Sequence, residues 1–313
     1  MKTPLSKFDV IFISYDEDNA DKNWADLLTK VPWAKRVHGV EGSDSAHKAA
    51  ARESSTDRFI SVDADNIVDD AFFDQEIDFD HPKFKDKVVS WSAINQINGL
   101  QYGNGGLKCW PVDYVMNMKT HENAEDDLNQ IDFCWEDTYV QMNNIFCKTY
   151  PNGSPRQAFR AGFREGVKMS VDRGQKVDPS EFENTIWWGN YHRLLVWCSV
   201  GADVEYGLWS MLGARMGCQM TALTDWDYIN VRDFTWLNKF WYDSNFLNKY
   251  PTTDILWDGI VNYGEILRHQ LALPVADLDK NSSIFFKKAY VGLPRTGSYM
   301  TEEELNALRN LNK

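Results

Sequence analysis

The chain has 313 residues, 43% of them hydrophobic, enough for a substantial core in one large domain or two smaller ones. A formal net charge of −13, from 33 basic and 46 acidic residues, excludes a surface built wholly for nucleic acid or an anionic membrane, while leaving room for a local basic groove. Five scattered cysteines without C-x-x-C spacing indicate neither a disulfide framework nor a zinc site, and no apolar run has signal-peptide or membrane-spanning length, so a soluble cytoplasmic protein is expected. Thirteen tryptophans suit a core, but their faces also stack on sugars and bases.

In chain order, Phe8 to Ser14 reads as a central parallel strand ending in the acidic loop Tyr15-Asp16-Glu17-Asp18. A helix over Asp21 to Lys30, a short strand at Arg36 to Val40, a helix over Ala46 to Glu53 and a strand at Phe59 to Val62 follow. Alternating strands and helices predict a parallel α/β sheet, whose ligands sit at the carboxyl ends of its strands. Both acidic clusters, Asp16-Glu17 and Asp63/Asp65, fall there. Lys87 to Ile94 is another strand, and the glycine-rich stretch Gly99 to Trp110 allows backbone to approach a ligand closely.

Ser154-Pro155-Arg156-Gln157 opens the second half with a capping box and proline at the first helical position. Arg156, Arg160, Arg164 and Lys168 then recur every four residues, beside an apolar stripe of Phe159, Phe163 and Val167. Between residues 154 and 176 six basic residues face two acidic ones, which suggests an anion-binding helix for a diphosphate or a DNA backbone, against the alternative of a solvated face. Trp187 to Val200 and Val204 to Met216 read as helical or mixed, and Thr301-Glu-Glu-Glu304 as a capping box opening a terminal helix.

Asp63-Ala64-Asp65 is the central motif. A calcium loop fails because its sixth position is Val68 rather than glycine. A haloacid-type phosphatase also places D-x-D after an apolar strand, but it uses its first strand, with Thr or Val where Ile67 stands here. A chance pair at a strand end is the remaining alternative.

The run from Gly42 through Asp44, Lys48 and Arg52 to Asp63-Ala-Asp65-Asn66 resembles the central segment of GT-A glycosyltransferases, in which a small-residue helix leads into the strand bearing D-x-D. Trp135-Glu136-Asp137 matches the family's later acidic pair, and the chain as a whole is similar to glycosyltransferases of tailed bacteriophages, some of which modify hydroxymethylated pyrimidines in DNA. The resemblance implies a Rossmann-like mixed sheet flanked by helices over residues 1–150, a largely helical region over 151–313, and transfer of a sugar from a nucleoside diphosphate donor with Mn²⁺ or Mg²⁺. It implies Asp65 in direct contact with the metal and Asp63 reaching the donor's ribose or the metal through water, with His192 as the favoured third ligand, followed by His121-Glu122 and His269. Ser14, Tyr15, Asp16 and Asp44 would hold the nucleoside, Lys48 and Arg52 the diphosphate. Gly105, Gly106, Trp110 and Trp135 would flank the sugar or acceptor. Asp137, paired with Glu136, would take the acceptor proton. The acceptor would be a hydroxymethylated pyrimidine in DNA, a glycan or a protein, the location the host cytoplasm if the chain is phage-encoded. A phosphohydrolase using Asp63 and Asp65, or a tryptophan-rich carbohydrate-binding protein without activity, are the rivals.

Overall fold

A computed structural model describes residues 2–102, 106–120, 123 and 138–290. Its strands are β1 (Thr3–Pro4), β2 (Asp9–Ser14), β3 (Lys35–His38), β4 (Arg58–Asp63), β5 (Asn66–Val68), β6 (Glu76–Ile77), β7 (Val88–Asn95), β8 (Gln101–Tyr102), β9 (Leu107–Pro111), β10 (Tyr139–Thr149), β11 (Val171–Asp172) and β12 (Gln175–Lys176). Among them lie the helices α1 (Ala20–Lys30), α2 (Ser43–Glu53) and α3 (Val112–Asn117). After β10 the chain turns helical: α4 (Pro155–Lys168), α5 (Phe182–Thr185), α6 (Trp188–Ser199), α7 (Gly207–Leu223), α8 (Phe234–Asp243), α9 (Phe246–Lys249), α10 (Thr253–Leu271) and α11 (Lys280–Ala289).

Eight strands form one mixed sheet in the order β3-β2-β4-β9-β7-β10-β5, with β8 paired to β7 off that path. The parallel part expected from the first 65 residues is present, since β2 runs parallel to both β3 and β4, with Ile13 opposite Asp63. Beyond β4 the sheet departs from that pattern: β9 is antiparallel to β4 and β7, while β10 is parallel to β7. Alternate residues of β2 divide between the two faces. Val10 and Phe12 pack with Ala20 and Leu27 of α1, whereas Ile11 packs with Ala50 and Ala51 of α2. The small residues of α2 let it lie close on the sheet, and it starts three residues earlier than expected, after Gly42 at φ +88°.

Only Ala64 and Asp65 separate β4 from β5, although these strands stand far apart in the sheet order. Two linking residues span about 10 Å, so the sheet curls until its β5 edge meets the end of β4. The D-x-D motif is the hinge of that curl.

The helical half is organised by a seam of glycines. The Ser154 hydroxyl caps α4 by accepting from the Gln157 backbone N–H, and Pro155 occupies the first turn. Phe159, Phe163 and Val167 are buried as expected. On an adjoining face, a Cβ added at Gly162 or Gly166 would overlap the carbonyls of Ser210 or Ala214 in α7; one added at Gly213 or Gly217 would overlap those of Phe159 or Phe163. Two backbones in such close contact fix the rotation of α4, and with it the direction in which Arg156 and Arg160 point. Arg215 of α7 is fully buried and ties the neighbouring elements together, donating to the carbonyls of Cys198, Ile260 and Ala276 and to Asp277. Among the described residues, no helix is long and apolar enough to cross a membrane.

Candidate active site

The turn carrying the two aspartates is held from several sides through its backbone. The Asp63 N–H donates to the Gly106 carbonyl at 3.0 Å, the Tyr150 N–H donates to the Asp65 carbonyl at 2.7 Å, and the buried Asn23 amide of α1 donates to the Ala64 carbonyl at 2.8 Å. Asn19 in turn donates to the Tyr150 carbonyl at 2.8 Å. Gly106 sits at φ +74°, and a Cβ there would lie 2.5 Å from both Asp63 Oδ2 and Asn66 Nδ2. Glycine is required twice over, by its backbone angle and by this approach. Asn66, 2% exposed, donates from Nδ2 to Asp65 Oδ1 at 3.1 Å, while its Oδ1 is buried without a partner.

Four carboxylates, those of Asp16, Glu17, Asp63 and Asp65, act on one another here. Burial pushes the Asp65 carboxyl up to about 7, reinforced by the charges of Asp63 and Glu17 and opposed in part by Arg160. Burial also raises Glu17, although the Tyr15 backbone N–H donates to its Oε2 at 2.8 Å. Asp16 goes the other way. Burial alone would raise it, but the guanidiniums of Arg160 and Arg156 together hold it below the usual carboxylate range. Arg160 Nη1 reaches both Asp16 oxygens at 2.9 and 3.0 Å; Arg156 bonds Asp16 Oδ2 at 2.7 Å and also the Asn238 side-chain oxygen at 2.9 Å. The result is an acidic hollow beside a fixed guanidinium, at the carboxyl end of central parallel strands.

The two carboxylates, Asp63 and Asp65, are oxygen donors of the kind Mn²⁺ or Mg²⁺ takes. No group of three His, Cys, Asp or Glu residues able to hold a metal exists among the described residues. Among the described residues, His192 and His269 are therefore not grouped with the two aspartates. His192 stacks on Tyr290 (centroids 5.7 Å apart, planes at 16°), and His269 pairs with Glu265 on α10.

Several other expectations are corrected by where the side chains lie. Trp110 is fully buried, donates to Ser61 Oγ at 2.8 Å and stacks on Tyr114, so it belongs to the core and offers no face to a sugar. The Ser14 hydroxyl, 3% exposed, is taken up by Arg36 and His38. Asp16 is neutralised by Arg156 and Arg160, leaving it a structural tie rather than a nucleoside acceptor. Asp44 accepts from Lys48 Nζ at 2.6 Å and from the Thr120 backbone at 3.2 Å, so acid and base satisfy each other. Arg52 lies in the last turn of α2, beside Glu53, whose carbonyl is held by Lys35 at the start of β3. That is the opposite, amino-terminal end of the parallel strands, a strand length of about 20 Å from Asp63. The basic stripe is not an open phosphate track either: Arg156 and Arg160 are on Asp16, Lys168 is on Glu165, and Arg160 and Arg164 both lie 4.8 Å from the Phe234 ring. Tyr15, at 39% exposure, keeps a ring available. Gly105, Trp135, Glu136, Asp137 and His121-Glu122 lie outside the described residues.

Asn23 and Asn66 were missed by sequence reasoning. A signal existed for Asn23, a polar residue inside the buried stripe Ala20, Asn23, Leu27.

No protein-family model matches the chain, and no curated protein matches it. One solved structure, a glycosyltransferase involved in the glycosylation of the major capsid of PBCV-1, is similar at 12% identity and a TM-score of 0.30, covering 47% of this chain and 94% of that one. So distant a likeness carries no functional weight, and function is argued below from the site.

Proposed function

We propose that the chain is a metal-assisted GT-A glycosyltransferase that takes a nucleoside diphosphate sugar in the crevice at the ends of β2 and β4. One observation carries this reading: the Asp63/Asp65 turn, held through its backbone by Gly106, Tyr150 and Asn23 at the carboxyl end of β4, gathers carboxyl groups whose burial and mutual repulsion push Asp65 up to about 7, with the Arg160 charge opposing in part. A cation-demanding hollow next to a fixed positive group is the pairing that a diphosphate with its metal requires. Bound Mn²⁺ or Mg²⁺ would supply positive charge for the departing diphosphate. Asp65 and Asp63 would hold the metal, while Arg160, paired with Asp16, contributes positive charge at a distance rather than a direct phosphate contact. Tyr15 stacks on the nucleobase, and Gly106 lets the backbone approach the sugar. In the transfer the acceptor oxygen attacks the anomeric carbon, the bond from that carbon to phosphate oxygen breaks, and Asp137, with Glu136, is the proposed base for the acceptor proton. With three of its four cations engaged with carboxylates, the α4 stripe no longer favours DNA over a glycan as acceptor.

A phosphohydrolase is the second reading, because a carboxyl that keeps its proton near neutrality also serves as a general acid. Incubation with UDP-, GDP- and CDP-sugars, Mn²⁺, and either hydroxymethylcytosine-containing DNA or simple glycans separates the two. Nucleoside diphosphate release with a sugar-sized mass gain on one acceptor, lost in Asp65→Asn, is expected. Phosphate release from an aryl phosphate without any sugar transfer would instead establish the phosphohydrolase.

A further inference from the structure

The Asn66 side chain is built into the acidic hollow in a way that packing alone does not explain. It is 2% exposed, its Nδ2 bonds Asp65 Oδ1 at 3.1 Å, and that same nitrogen borders Asp63 across Gly106, whose missing Cβ would be 2.5 Å from Nδ2 and from Asp63 Oδ2. Nδ2 and Asp63 Oδ2 are therefore no more than about 5 Å apart, so the amide borders both carboxylates. Its other end, Oδ1, is buried with no hydrogen-bond partner. Leaving a buried amide oxygen unpaired costs on the order of 1–3 kcal/mol, a cost that a cation coordinated by this oxygen would remove.

We infer that Asn66 is an oxygen ligand of the metal held by Asp63 and Asp65, recruited by rotation of its amide. The inference rests on the metal-site reading above. Between two carboxylates without a cation, the amide turns its N–H donor towards them. With a cation there, an acceptor is favoured instead, and a half-turn about the Cβ–Cγ bond exchanges Nδ2 for Oδ1. Only the one bond to Asp65 is given up, because nothing holds Oδ1 where it now lies. The metal so gains a third protein oxygen, of a type that hard cations accept from asparagine, without needing His192.

Titration of the whole chain with Mn²⁺, following free Mn²⁺ by electron paramagnetic resonance, tests this without turnover. Wild type and Asn66→Asp should both bind. Asn66→Ala and the near-isosteric Asn66→Leu should bind at least about tenfold more weakly, consistent with loss of one ligand (~1.4 kcal/mol per tenfold), while thermal unfolding in EDTA verifies that each variant is folded. Binding within twofold of wild type in a folded oxygen-free variant would overturn the inference while leaving the metal site standing, as would loss of binding in Asn66→Asp. No Mn²⁺ binding by wild type would overturn both.

Discussion

Gly106 and Asp63 are in direct contact: the Gly106 carbonyl accepts from the Asp63 backbone at 3.0 Å, and a Cβ on the glycine would stand 2.5 Å from the carboxylate oxygen. The approach of β9 thus fixes the first aspartate of the motif from both its backbone and its side chain. Gly106→Ala should destabilise the protein by about 1–3 kcal/mol, from the left-handed backbone angle and the overlap together. It should also weaken Mn²⁺ binding by displacing Asp63. Chemical denaturation and a Mn²⁺ titration of the same variant check the two effects.

The tie of α4 to the sheet is an ion-pair cluster on Asp16. Its carboxyl is held below the ordinary range, so the stabilisation it contributes is present above the unfolded-state value near 4 and is lost as pH falls through the lower folded-state value. Asp16→Asn should therefore cost about 1–3 kcal/mol at pH 7, because two partly buried guanidiniums lose their counter-charge. The gap from wild type should narrow as pH falls below the unfolded-state value near 4. Denaturation curves across that range measure it.

Asp65 behaves oppositely. Its folded-state value of about 7 lies above the unfolded one, so in metal-free protein it favours folding at low pH and progressively less as pH rises from about 4 to about 7. In EDTA, Asp65→Asn should raise the melting temperature at pH 8 and leave it nearly unchanged at pH 4. Excess Mn²⁺ at pH 8 should stabilise the wild type and not the variant.

Along the α4–α7 seam, Gly162→Ala or Gly213→Ala inserts a methyl into the facing backbone. Each should destabilise by about 1–3 kcal/mol or more despite the higher helix propensity of alanine, whereas Ala161→Ser, at a partly exposed position next to Gly162, should cost little. Thermal unfolding of the three variants distinguishes the seam from a general intolerance of substitution in α4.

The parts of the fold that were legible carry local signals. The alternation in Val10-Ile11-Phe12, the small-residue face of α2 and the Ser154-Pro155 start of α4 each state their structure within a few residues. The insertion of β9 between β4 and β7 was not, since antiparallel pairing with Arg58 to Val62 depends on contacts some fifty residues distant. At the site, composition correctly brought the loop after β2 to the Asp63/Asp65 turn, but it could not reveal which charges were already spent. Asp44 with Lys48, and Asp16 with Arg156 and Arg160, look like ligand-binding groups in a sequence and prove to be one another's partners. Trp110 failed for a related reason: an aromatic beside a glycine-rich stretch suits a sugar site, yet the alternation of β9 turns it inward. Asn66 left no sequence signal, because its meaning lies in an oxygen without a partner.

The most direct measurement is calorimetric titration of the protein with UDP, GDP and CDP, with and without Mn²⁺. One nucleotide should bind, at least about tenfold more tightly with Mn²⁺, and the metal-dependent part should vanish in Asp65→Asn while the fold is retained. Absence of binding by all three nucleotides in the presence of Mn²⁺, or binding unaffected by both Mn²⁺ and Asp65→Asn, would contradict a nucleotide-sugar site at the end of β4.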